Sequence, residues 1–181
     1  MERIEPLLPV VERRFRYPGR RRIDDRRVLC GTLFVLCTGI PWRHLPQELG
    51  FGSGMTCWRR LRDGNEAGVW QRLHELLLGE LRAAGCWTSS KAAIDSSHVR
   101  AMKGGPATGA PRSPPVIARR GAEHGSCLGV HRWVVEGAIA LLHRFRRLRI
   151  RWEIRDDVHQ AFITLGCAII CWRRLKTSVS P

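Results

Sequence analysis

Asp95 closes the short apolar run Ala92-Ala-Ile-Asp95, just after a Ser/Lys break. This pattern predicts a buried strand that delivers a carboxylate to its mouth, where strand-based folds often hold groups that act on a substrate. A second carboxylate, Glu136, stands one helical turn after Arg132, a spacing that by itself asks for no more than an ordinary ion pair. The remaining chemistry is cationic. Arg59, Arg60 and Arg62 fall in one short stretch, Arg119 and Arg120 in another, and Arg147, Arg149 and Arg151 alternate with apolar residues. Guanidinium groups in such runs suit nucleic-acid phosphates, which they hold by charge and by release of counterions. Cysteine makes a weaker case for a site. Cys167 and Cys171 are one turn apart in an apolar stretch with no matching second pair, so core packing accounts for them better than a metal does.

The composition agrees with a polyanionic partner. Lys and Arg number 31 against 16 Asp and Glu, a net charge of +15 over 181 residues. Codon bias toward GC would also enrich Arg, since only three of the cations are Lys, but it does not remove the excess over acids. Residues 1 to 88 carry 15 basic and 10 acidic residues (+5), whereas 89 to 181 carry 16 and 6 (+10). Apolar residues make up 44% of the chain, enough to bury a core. The longest apolar runs, Leu29 to Ile40 and Ala161 to Trp172, are 12 residues each, and a bilayer takes roughly 20. Met1-Glu-Arg opens a polar stretch rather than a secretory leader, and seven scattered cysteines suit a reducing compartment, so the expected location is the cytoplasm.

Helices must position most of these groups. Residues 24 to 38 predict a first helix, capped by Asp24 or Asp25 and stopped by Gly39 before Pro41. After Gly50-Phe-Gly-Ser-Gly54, Thr56 to Arg62 predicts a short basic helix, and Glu66 to Ala84 a third with Val69, Trp70, Leu73, Leu76, Leu77 and Leu81 on its apolar face. Three helices with a sharp turn before a short arginine-rich one suit a helix-turn-helix, with Arg59, Arg60 and Arg62 toward DNA. Residues 103 to 129, rich in Pro and Gly, read as a linker. A helix follows over 131 to 145. Arg147 to Arg155 alternates strictly and predicts a half-buried strand with a basic outer face. Asp156 and Asp157 then cap a last helix whose Val158, Ala161, Phe162, Leu165, Ala168, Ile169 and Trp172 line one side, a face that needs a partner.

The strings Thr38-Gly-Ile-Pro-Trp-Arg-His-Leu-Pro46, Ala93-Ile-Asp-Ser-Ser-His-Val-Arg-Ala101 and Leu128 to Glu136, with Arg147 to Glu153, resemble a bacterial insertion-sequence transposase of the group with a DDE catalytic domain. The resemblance implies a mainly α chain: an N-terminal helical, helix-turn-helix-like DNA-binding domain over 1–88, then an incomplete α/β RNase H-like fragment. In that fragment 89–102 would carry the first core strand, 103–129 the linker at an internal deletion, and 130–176 the C-terminal helices, whose apolar faces would then lie open. It also implies that Asp95 matches the first catalytic Asp and Glu136 the catalytic Glu, both as Mg ligands. The implied partners are DNA, in particular the ends of an insertion element, and full-length copies of the transposase.

The second catalytic Asp of that family has no match here. Forty residues separate Asp95 from Glu136, while the strands and helix that belong between them need roughly 60 or more. Gly64 stands where the family usually has an aromatic, and Gly137 where it usually has Arg. Two-metal phosphoryl transfer needs carboxylates that hold both ions, and two rarely suffice. Glu123 lies in the basic loop, and Asp156 and Asp157 serve as a cap. The expected output is therefore DNA binding without strand transfer. The other readings are a non-specific basic module using Arg119, Arg120 and Arg144 to Arg155, and an active small Mg-dependent transposase.

Overall fold

A computed structural model describes residues 4–9, 15–16, 21–85, 102–103, 137 and 139–179. Helix α1 runs over Asp25–Thr38 and ends at Gly39, whose left-handed backbone lets its N–H reach the Val35 carbonyl at 2.8 Å. Asp24 occupies the N-cap without a side-chain cap bond; Asp25 instead pairs with Arg22 at 3.3 Å and with Arg60. A 3-10 helix over Trp42–His44 leads toward α2, Gly54–Glu66. Ser53 caps α2 by accepting from the Thr56 N–H at 3.1 Å, which starts the helix two residues earlier than its basic stretch predicts. Gly54 is needed at this junction, because a Cβ there would lie 1.8 Å from the Trp42 carbonyl oxygen.

Helix α3, Val69–Ala83, begins after Gly68, whose positive φ of 69° separates it from α2 and excludes the Glu66 start. Helix α4 spans Asp156–Val179. Its Val158, Ala161, Phe162, Leu165, Ala168, Cys171 and Leu175 are buried at helical spacing, and α3 packs along this face with α2 beside it. The core therefore runs without a break from Val28, Val35 and Leu36 of α1, through Leu61 and Trp70, to α4. The apolar side of α4 is covered from Val158 to Ala168 while Trp172 stays exposed, which corrects the expectation that the whole face would lie open. Trp42 stacks on Phe162 with ring centroids 5.5 Å apart and planes 19° apart, and Asn65 of α2 donates to the Asp157 carbonyl at 3.2 Å.

This packing bears on two features of the sequence. Gly64, where the family usually has an aromatic, has no room for a side chain: a Cβ there would meet the Trp70 indole at 2.7 Å, and Trp70 in turn donates its ring N–H to the Leu61 carbonyl at 2.9 Å. The strand expected over 147 to 155 is absent. Arg146–Leu148 is a 3-10 helix, Phe145 and Leu148 are both buried, and only Arg151 makes an isolated bridge, accepting from the Met102 N–H at 3.0 Å. Alternation lacks a neighbouring ladder here among the described residues. The described residues are thus mainly helical, with no strand among them.

Candidate nucleic-acid interface

The three arginines of α2 have separate fates. Arg59 is exposed. Arg60 is drawn back onto α1, where it pairs with Asp25 and donates to the Ile23 carbonyl at 3.4 Å. Its side chain is only 18% exposed, and burial, with the nearby Arg22 charge, pulls its pKa below the ordinary arginine value. Arg62 is held by Asp63 at 2.6 Å and Glu66 at 3.6 Å and lies over the Trp58 ring at 5.4 Å.

The second arginine run divides in the same way. Arg147 is buried and pairs through Nη2 and Nε with Glu153, the latter bond at 3.1 Å. Its Nη1 donates to the Ile40 carbonyl at 3.1 Å, and Glu153 also accepts from the Trp42 ring N–H at 3.3 Å. This network ties the turn after α1 to the segment before α4. Arg151 is likewise buried and donates to the carbonyls of Glu153 at 3.0 Å and Ile154 at 2.9 Å. Both side chains were expected on a DNA-facing strand. Their placement corrects that, since a guanidinium already desolvated against carbonyls and a carboxylate cannot reach a phosphate. Arg149 stays exposed, its Nε donated to the His143 carbonyl at 2.8 Å. The missed signal was Glu153 itself, a carboxylate six residues beyond Arg147 inside an otherwise cationic run.

Asp95, Glu136, Arg119, Arg120 and Arg132 lie outside the described residues. Among the described residues no group of three or more His, Cys, Asp or Glu could hold a metal ion. Burial pushes the Cys167 and Cys171 thiols above their ordinary pKa, which keeps them protonated and suits packing. No helix among the described residues is long and apolar enough to cross a membrane.

Residues 1–74, which contain α1, α2 and the start of α3, match the family model described as "Putative transposase of IS4/5 family". The chain is 56% identical over 114 residues to the "Insertion element IS402 uncharacterized 16.2 kDa protein" of Burkholderia cepacia, covering 62% of this chain and 76% of that relative. It is 63% identical over 62 residues to the "Putative transposase for insertion sequence element IS402" of the same organism, covering 34% of this chain and 29% of that protein. No solved structure matches the chain.

Proposed function

Because this chain belongs to the IS4/5 family of insertion-sequence transposases, we propose that it binds DNA, at the ends of its insertion element, without carrying out strand transfer. One observation carries the second half of this reading: the 40 residues between Asp95 and Glu136 contain a single carboxylate, Glu123, and no Asp. Two-metal phosphoryl transfer requires carboxylates that fix both ions within about 4 Å of each other, and Asp95 with Glu136 supplies too few. The donor set therefore does not fit the Mg site that the family resemblance implies, and no catalytic step is routed through it.

The first half is supported by charge and by packing. The helices that match the family model are closed by α4, so a folded helical unit exists whether or not a catalytic core accompanies it. The net charge of +15 favours a polyanion. Such a protein would act by occupancy, covering element ends or joining full-length copies in inactive complexes.

Fluorescence anisotropy with the element's terminal duplex and a scrambled duplex of equal length tests this reading. Tighter binding to the terminal duplex is expected. Equal affinity for both, with steep salt dependence, would replace it with a non-specific basic module.

A further inference from the structure

Five arginines that no carboxylate neutralises among the described residues come from two neighbouring segments. Arg144, Arg146 and Arg149 are exposed on the turn before α4, and Arg173 and Arg174 are exposed near its far end. Phe145 joins the two sets. It is buried against α4, where a Cβ on Gly166 would lie 3.4 Å from its ring, and the Arg173 guanidinium sits 5.7 Å from the centroid of that ring. The bond from Arg149 to the His143 carbonyl holds the turn's outer arginine in place. None of these five arginines has an ion-pair partner among the described residues, and neither 137 to 152 nor 158 to 179 contains an Asp or Glu. Cations answer helix dipoles both near the end of α4 and just after the helical residues 139–143, but the five arginines together have no nearby acid among the described residues to balance them.

We propose that Arg144, Arg146 and Arg149, together with Arg173 and Arg174, form one phosphate-binding surface for duplex DNA. The inference rests on the DNA-binding reading above and places a large part of that binding on the C-terminal segment rather than on α2. Duplex fits better than single-stranded nucleic acid, because the surface offers charge without a stacking platform: Phe145 is buried beneath Arg173, and Trp172 carries Lys176 at 5.3 Å. Arg147, in the midst of the turn, is the arginine that faces inward, and its anchoring to Glu153 and the Ile40 carbonyl is what presents its neighbours outward.

The test is a salt titration of the full chain with labelled duplex DNA, comparing wild type with the triple variants Arg144→Gln/Arg146→Gln/Arg149→Gln and Arg144→Lys/Arg146→Lys/Arg149→Lys. Each phosphate contact adds about 0.9 to the slope of log affinity against log salt, so the glutamine triple should lower that slope by about 2 to 3 and weaken binding at least about tenfold at low salt. The lysine triple should stay within about threefold of wild type, since charge is what the surface supplies. Should the glutamine triple not melt cooperatively, Arg173→Gln/Arg174→Gln is read in the same titration, with a slope loss of about 1 to 2 expected. A folded glutamine variant with wild-type affinity and slope overturns this inference and leaves the DNA-binding reading standing. Stronger binding of single-stranded than of duplex DNA overturns the duplex assignment. A wild-type chain that binds no DNA overturns both readings.

Discussion

The arginines of α2 and those of the turn before α4 look alike in sequence, yet they differ in what surrounds them. In α2, Arg60 and Arg62 are claimed by Asp25, Asp63 and Glu66, and Arg59 alone is exposed without an ion pair among the described residues. In the second run a single acid, Glu153, takes the inward-facing Arg147, and Arg144, Arg146 and Arg149 are left outside. A cation run thus becomes a binding surface or a structural clamp according to the number of carboxylates that fold back onto it, and the local acid count decides between the two.

The largest effect that can test this contrast is at Arg147. Arg147→Leu should leave Glu153 buried and unpaired and cost about 3–5 kcal/mol in denaturant unfolding. The double variant Arg147→Leu/Glu153→Leu should cost less than the sum of the two single changes, because neither then strands the other's charge. Arg60→Met, at the partly exposed clamp between α1 and α2, should cost about 1 kcal/mol. The pH dependence is smaller. Burial first, then the Arg151 charge, holds His159 below the usual histidine pKa, and burial does the same for His74. The unfolded chain takes up these protons near pH 6.5, before the folded one does. Stability from the neutral imidazoles is therefore full above that pH and is lost as pH falls through it toward the folded values. Melting temperatures between pH 7.5 and 5 should show the decline, and His159→Gln should flatten it. Smallest of all, Arg59→Gln should change stability by less than about 0.5 kcal/mol while weakening DNA binding.

The helices were legible where local chemistry set their limits. Gly39 ends α1 as its sequence suggests, and the apolar spacing of α4 identified the buried face down to Val158, Phe162 and Leu165. The start of α3 was misplaced because Gly68 takes a left-handed conformation that periodicity does not register. The alternation over 147 to 155 misled for a different reason. Period two stands for alternating burial only where a ladder fixes the backbone, and here Glu153 draws Arg147 inward beside the equally buried Leu148. Contacts between distant segments left no local mark: nothing in Trp42 or Phe162 alone says that they stack, nor in Gly64 that Trp70 will occupy its side-chain space. Of the residues expected to meet DNA or metal, Arg59 and Arg149 are exposed, Arg147 and Arg151 face inward, and Asp95, Glu136, Arg119, Arg120 and Arg132 lie outside the described residues.

Binding without strand transfer is tested most sharply by an end-labelled nicking and strand-transfer assay on the element's terminal DNA with Mg, with a gel-shift lane from the same samples. A shifted band without nicked or joined product is the expected result. Mg-dependent products that vanish in Asp95→Ala or Glu136→Ala would contradict the account and show a working catalytic core.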